Sequence, residues 1–581
     1  MRKLLLVILS LVIVVSLVSC GGGKSGGNAG DKGTVSFNIE VEPTSLDPQV
    51  LTDEAGLNVA QFLYESLVRL NEKSEIVPAG AERWDISEDG LKWTFYIRKD
   101  MKWSNGDPVT AKDYYNGVKR GLDPELAAEY AYLTYYIKNA QSYSEKKITD
   151  FEQVGVKVID DYTLEFELQD PTAYFGKLLV MPIFYPVNEK ALAEFGDQYA
   201  LDPKKSVYSG PYIMTEWSHG SKVVLERNPN YWTKDKFKIE KLIAVITADL
   251  DSAANSYENG ELTITKISPE KLKAYKDKPE LVSYSDGRVY YFSFNLKNDI
   301  LKNQKVRQAL SLAIDRDKLV NEVLANGSEK GSGIVASGMP GIKDDFRKEN
   351  GDLYAQYKDE DIKKLFEEGL QELGKTPADV KLSLLIDEQG TAKKEAEFYQ
   401  AQWREKLGLD VSVDQTTKKD RIARSRSGDY DIVRYSWGPD FADAMTYLEL
   451  FFSNTEMNIP RYVNPEYDEL LSIGRKSNNH DERTEAMEKA EKIVTESFAY
   501  SGLYYQTVNI LVNSKVKNVH FRSVGAPIDL IDATLGLIKF LSILGGKMKK
   551  LFLILTYLFW YYLVAGTKAE KPVKLVEEQL H

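Results

Sequence analysis

From residue 34 onward the chain alternates between two hydrophobic periods, one of two residues and one of a helical turn. Residues 34–41 alternate and are rich in β-branched side chains, which predicts a strand. Glu42-Pro43-Thr44-Ser45-Leu46-Asp47-Pro48 ends it, because two prolines keep this stretch out of a helix. Leu57, Ala60, Leu63, Tyr64 and Leu67 then recur at helical spacing and predict an amphipathic helix. Asp89-Gly90 is a hairpin turn, residues 91–97 alternate as a strand, and Asn105-Gly106-Asp107-Pro108 is another turn. Thr110-Ala111-Lys112-Asp113 is an acidic variant of the capping box and opens a helix through Arg120. Residues 154–159 and 163–168, joined by Asp160-Asp161, predict a second hairpin.

Farther along, Asn303 is placed to cap a helix carrying Val306, Leu310, Ala313 and Ile314. Residues 361–373 form a strong amphipathic pattern that Gly374 ends. A strand over 380–386, a helix over 392–407 and a strand over 409–413 make a βαβ unit, so the chain reads as α/β. No internal repeat is evident.

Length and composition narrow the class. With 581 residues, 43% hydrophobic and 28% charged, the chain has material for several domains and a large core. The formal charge of −12 argues against a nucleic-acid partner, which calls for a basic stripe. Tyr is used 35 times; its apolar ring and polar tip suit a cleft that accepts varied ligands, although most copies serve sheet surfaces. The four His residues are scattered and there is one Cys, so no metal site and no intrachain disulfide is expected.

That Cys is informative. Met1-Arg2-Lys3 is a basic start, residues 4–18 are apolar, and Leu17-Val18-Ser19-Cys20 is followed by glycines. The pattern is that of a secretory signal over 1–19, too short for a comfortable membrane span. Its Leu-Val-Ser-Cys end resembles the bacterial lipoprotein box, which implies that Cys20 becomes the first mature residue and carries lipid. Residues 20–33, rich in Gly, read as a flexible tether.

A series of landmarks in order carries a wider resemblance. They are the Glu42 to Pro48 stretch, Leu63-Tyr64-Glu65-Ser66-Leu67-Val68, Trp93-Thr94-Phe95, Lys102-Trp103-Ser104-Asn105-Gly106 and Val109-Thr110-Ala111-Lys112-Asp113. Gly210-Pro211-Tyr212, Glu226-Arg227-Asn228-Pro229-Asn230-Tyr231-Trp232, Val306-Arg307-Gln308-Ala309-Leu310 and Ile314-Asp315-Arg316 follow. The chain resembles the oligopeptide- and dipeptide-binding proteins, bacterial extracellular solute-binding proteins of family 5, over roughly residues 34–535. The resemblance implies a two-lobed, periplasmic-binding-protein-like (class II) α/β fold with an extra inserted domain, three domains in all. Lobe I would comprise 34–65, 207–292 and 509–535; the inserted domain 66–206; lobe II 293–508. Most landmarks are expected to be scaffold, with Trp93, Trp103 and Trp232 in core or turns.

The implied function is capture of short peptides between the lobes for an ABC importer, with its permease and ATPase subunits as partners, no cofactor, a lipid anchor and a monomeric state. The same fold could instead hold a nickel chelate, haem or a sugar, or serve a surface adhesin. No His-Glu-x-x-His, Gly-x-Ser-x-Gly or Walker-type loop occurs, so an enzyme is not expected. By the resemblance, Asp440 of Trp437-Gly438-Pro439-Asp440 pairs with the ligand's α-ammonium, and Arg434 helps hold the site and the ligand's far end. Ser436 and Gly438 offer backbone groups, Thr52, Asp53 and Glu54 meet the ligand backbone from the other lobe, and Tyr130 stands at the lobe interface. Each has a plainer reading: Asp440 as a turn cap after Gly-Pro, Arg434 in a salt bridge with an acid such as Asp431, and Thr52 to Glu54 as exposed loop. Asp443 is followed by Ala444 where many relatives have Pro, and a further basic residue falls near Arg424 and Arg426 without a firm register.

The resemblance ends near Leu535. Residues 536–581 hold Met548-Lys549-Lys550 and an apolar run over 551–564, a second signal-like pattern that suggests read-through or a frame change into a downstream gene, the alternative being a C-terminal membrane segment, for which the run is short. This tail is expected to add nothing to the site.

Overall fold

The computed structural model describes residues 33–536, apart from Glu72, Lys73, Asp359, Gln389 and Glu456. The signal-like segment, Cys20, nearly all of the tether and the apolar tail lie outside the described residues. Among the described residues, no helix is long and apolar enough to cross a membrane.

The elements that position the site begin with strand β1 (Thr34–Asn38) and helix α1 (Glu54–Leu63). A four-stranded antiparallel sheet follows in the order β2 (Ala81–Ile86), β3 (Lys92–Ile97), β5 (Thr163–Glu167), β4 (Val156–Asp160), with helix α2 (Ala111–Gly121) between β3 and β4 in sequence. Then come β6 (Tyr212–Ser218), β7 (Lys222–Arg227), β8 (Lys241–Val245), β9 (Ile264–Lys266) and the long β10 (Leu281–Phe294). The last part holds α3 (Gln304–Leu312), α4 (Ile362–Glu372), β11 (Leu382–Asp387), α5 (Ala392–Leu407), β12 (Val411–Thr416), β13 (Ile432–Trp437) and β14 (Tyr500–Val512).

An eleven-stranded sheet runs β12-β11-β13-β10-β14-β9-β1-β8-β7-β6, with Glu329–Lys330 added on β14. Its two ends are wound differently. β11 pairs with β12 and with β13 in parallel, the expected βαβ unit, whereas β6, β7 and β8 pair with one another antiparallel and β8 then meets β1 in parallel. Among the described residues, only β10 and β14 join the ends. Leu281 to Ser285 pair beside the β9 end, and Val289 to Phe294 pair on to β13, with a register break between Ser285 and Val289.

Local predictions hold where a cap fixes the backbone. The Asp113 carboxylate accepts from the Thr110 N–H at 2.7 Å and its hydroxyl at 3.0 Å, Asn303 and Asp361 cap α3 and α4, and Gly374 has φ +66° beyond α4. Trp93 and Trp103 are buried. α1 is shorter than its periodicity predicts. It ends at Leu63, and Tyr64 is extended, because Gly210 packs on its last turn and donates its N–H to the Leu63 carbonyl at 2.9 Å.

The landmark motifs prove to be joints. Glu42 accepts from the Trp217 indole and the Gly220 N–H, both at 3.0 Å, and pins the β6–β7 turn. Asp47 takes both terminal nitrogens of Arg120 at 2.6 Å. Arg307 donates to the carbonyls of Ser497 and Phe498, and Arg316 to that of Gly502, so both hold the entry of β14.

A Cβ on Gly210 would stand 2.6 Å from the Leu63 and Phe62 backbone, which has no freedom to move away. Gly210→Ala is therefore expected to cost about 1–3 kcal/mol in urea unfolding; an unchanged midpoint would refute the close approach.

Candidate functional site

β13 leaves one edge open. Its ladder to β11 stops at Leu385↔Val433, while its ladder to β10 continues to Val289↔Trp437. Residues 434–437 therefore have a strand partner on one side only, and Ser436 and Trp437 are half-buried there. After them Gly438-Pro439-Asp440 turns the chain. The Thr446 hydroxyl oxygen accepts from the Trp437 indole N–H at 3.3 Å and from the Asp440 backbone N–H at 3.1 Å, which locks the corner.

Asp440 is half-buried at the wall of a cavity of about 330 Å³ whose lining includes Tyr132, Trp437, Thr446, Glu449 and Arg475. Its carboxylate accepts a hydrogen bond from the Tyr132 hydroxyl at 2.9 Å. Burial pushes its pKa up to about 6, against the opposing pull of that hydrogen bond and of the Arg288 charge. No cation lies within 4 Å of it among the described residues. Sequence reasoning missed Tyr132; the signal was the tyrosine-rich run of Tyr130, Tyr132, Tyr135 and Tyr136, most of which meets the cavity.

Arg434 is committed inside the fold. Nε and Nη2 each reach a Glu395 oxygen at 2.7 Å, Nη2 also donates to the Tyr504 hydroxyl at 3.0 Å, and the guanidinium lies 4.4 Å over the Tyr290 ring. Burial opposes a charge on Glu395, yet Arg434 beside it holds the carboxyl below its ordinary value. The acid that pairs with Arg434 is thus Glu395 on α5. Asp431 is engaged elsewhere, with the Ser383 N–H and hydroxyl and with Asn298.

On the facing side, Asp53 is the N-cap of α1 and accepts from the Gly56 N–H at 2.7 Å and from Thr44. Glu54 forms an ion pair with Lys266 at 2.9 Å. The Thr52 carbonyl accepts from the Tyr130 hydroxyl at 3.3 Å, and Tyr130 packs edge-on against Tyr132 with centroids 6.1 Å apart. Burial, then the charge of Asp440, raises the Tyr130 pKa to about 12. The structure therefore brings Thr52, Tyr130, Trp437, Gly438 and Asp440 together, and ties the side chains of Asp53, Glu54 and Arg434 to their own supports.

A second polar knot closes the far wall. Glu449 accepts from Tyr136 at 2.9 Å, Tyr174 at 2.8 Å and Arg475 at 2.8 Å. Tyr174 stacks on Phe441 at 4.7 Å, and Asp443 holds Arg483 through two bonds at 2.7 and 2.9 Å. The residues between β3 and β6 in sequence thus clasp the turn that carries Asp440.

Comparison with known proteins places the chain in a family. Residues 75–459 match the model of the bacterial extracellular solute-binding proteins, family 5 middle region. The oligopeptide-binding protein OppA of Bacillus subtilis is 33% identical over 534 residues, which cover 88% of this chain and 96% of that protein. The structure of Listeria monocytogenes OppA bound to peptide is similar with a TM-score of 0.70 and 32% identity, covering 88% of this chain and 100% of that one. The Escherichia coli murein tripeptide binding protein MppA gives a TM-score of 0.73 with 28% identity, covering 87% and 99%.

Removing one member of a buried charge pair strands the other. Glu395→Ala is expected to destabilise the protein by about 3–5 kcal/mol in chemical denaturation, with the double change Glu395→Leu/Arg434→Met costing less. A mild single-mutant effect would show that Arg434 is not held as described.

Proposed function

Because the chain belongs to family 5 of the bacterial extracellular solute-binding proteins, we propose that it captures short peptides with a free amino terminus for an ABC importer. The observation that carries this reading is Asp440, a carboxylate drawn out of water, bonded by one tyrosine hydroxyl and left without a cation in contact. An α-ammonium placed against it gains a charge-assisted hydrogen bond of about 1.5–3 kcal/mol. The open edge of β13 offers backbone groups at Ser436 and Gly438 to an extended peptide by strand addition. Thr52 and Tyr130 approach from the opposite wall. A few such bonds with some apolar burial reach the roughly −8 kcal/mol of a micromolar site.

In this reading Arg434 supports the strand through Glu395, and its remaining nitrogen, Nη1, is the atom available to a ligand. The expected three-part division supplies the mechanism. The lobes are joined through β10 and β14, and the register break at residues 286–288 serves as the hinge. A ligand bonded to both lobes favours the closed form that the permease recognises. Cys20, lipidated, holds the protein at the membrane.

Three measurements test this. Calorimetry is expected to show tripeptides binding in the micromolar range and their N-acetylated forms at least about tenfold more weakly. Asp440→Asn removes that difference; equal affinity for both forms in the wild type would sink the ammonium role.

The pH response has a definite sign. Protonating Asp440 removes the partner charge, so affinity falls as pH drops through about 6. The unliganded fold behaves oppositely. Its Asp440 pKa lies above the ordinary 3.8, so this group's cost to stability is absent below 3.8 and fully present above about 6. Matching trends in affinity and in unliganded stability across this window would contradict the assignment.

Cys20→Ala is expected to move the protein from the membrane fraction to the soluble extracytoplasmic fraction with peptide affinity intact. Continued membrane retention of this variant would refute the lipid anchor.

A further inference from the structure

Beside Asp440 stands a cation that no landmark motif contains. The register break in β10 places Gly287 at φ +73°, with its carbonyl accepting from the Tyr447 hydroxyl at 2.6 Å. A Cβ at Gly287 would stand 2.7 Å from the Pro439 ring, so the bulge is seated under the Gly438-Pro439-Asp440 corner. The next residue, Arg288, lies over Gly438: a Cβ there would stand 3.0 Å from its Nη2. Gly438 thus makes room for a guanidinium.

That guanidinium is underused. Its nearest carboxylate, Asp286, is 3.9 Å from Nε, beyond hydrogen-bond length, and Asp286 is already bonded to the Arg288 backbone N–H at 3.0 Å. Among the described residues the Arg288 side chain donates no hydrogen bond within the protein, although it is only 38% exposed. Arg434, on the same sheet, has three such bonds. Arg288 is near enough to Asp440 and Tyr130 for its charge to act on both, yet it forms no ion pair with Asp440 within 4 Å. The result is two opposite charges at one corner that are not in contact with each other, each with unused bonding capacity.

We propose that Arg288 is a specificity-determining residue of the cleft, receiving an acidic side chain on the first residue of a peptide whose ammonium rests on Asp440. The inference builds on the ammonium assignment above. A Glu or Asp at the amino terminus carries its two charges a few ångströms apart, the arrangement that Asp440, without a cation in contact, and Arg288, held only loosely by Asp286, complement. The carboxylate would make two parallel charge-assisted bonds with the fork of the guanidinium. A peptide with a neutral first residue leaves the Arg288 charge answered only by Asp286 at 3.9 Å beside the incoming ammonium, and the difference is selectivity.

Calorimetry with Glu-Ala-Ala, Gln-Ala-Ala and N-acetyl-Glu-Ala-Ala tests this on the full chain. The wild type is expected to bind Glu-Ala-Ala about tenfold more tightly than Gln-Ala-Ala. Arg288→Gln brings the two within about threefold, chiefly by weakening the Glu peptide, and Arg288→Lys retains part of the preference. No preference in the wild type, or a preference that survives in Arg288→Gln, overturns the proposal. The acetylated peptide separates the two claims. If it binds as tightly as the free one, the ammonium assignment falls and takes the first-position assignment with it. If it binds weakly while Glu and Gln peptides bind alike, Arg288 alone is misassigned.

Discussion

A carboxylate taken out of water lowers stability unless a cation or several donors answer it, and this fold answers its buried acids with arginines. Glu395 has Arg434, Asp443 has Arg483, Glu491 has Arg347, Asp387 has Arg421 and Asp47 has Arg120. Asp440 breaks the pattern, with a tyrosine hydroxyl and a distant guanidinium only. The deficit is local and sits at the wall of the cavity. The paired acids around it matter because they keep the surrounding backbone from relaxing to repair it.

Two strands carry the geometry. β10 and β14 are the members of the large sheet that reach from its antiparallel end to its parallel end. Two supports of the site are hung on them: Arg434 through Tyr290 and Tyr504, and the Gly438-Pro439-Asp440 corner through Gly287. A bulge in β10 does two things at once. It breaks the register of the ladder between Ser285 and Val289, and it sets Arg288 against the turn after β13. Bulges commonly re-aim a side chain beside a site, and here the re-aimed side chain is the nearest cation to the unpaired acid.

The residues before β6 contribute tyrosines more than charges. Tyr132 places its hydroxyl on Asp440, Tyr136 and Tyr174 place theirs on Glu449, and Tyr130 places its own on the Thr52 carbonyl. A phenol can donate to a carboxylate without cancelling its charge, which an Arg or Lys would do. This wall can therefore hold Asp440 in place and still leave it attractive to a cation.

The sequence alone was decisive wherever the determining contact is short in chain distance. The Thr110–Asp113 box, the Asn303 and Asp361 caps, Gly374 after α4 and the βαβ unit from β11 to β12 follow from neighbours a few residues apart. The Trp437-x-x-Asp440 corner could likewise be located from its own pattern and its family resemblance. Its partners could not. Tyr132 and Asp440 are 308 positions apart, Arg434 and Glu395 are 39 apart, and α1 stops at Leu63 because Gly210 arrives on its last turn. The sequence shows which residues carry charge; only the order in which distant strands pair decides which of those charges are matched, and so that Asp440 is left without a cation in contact.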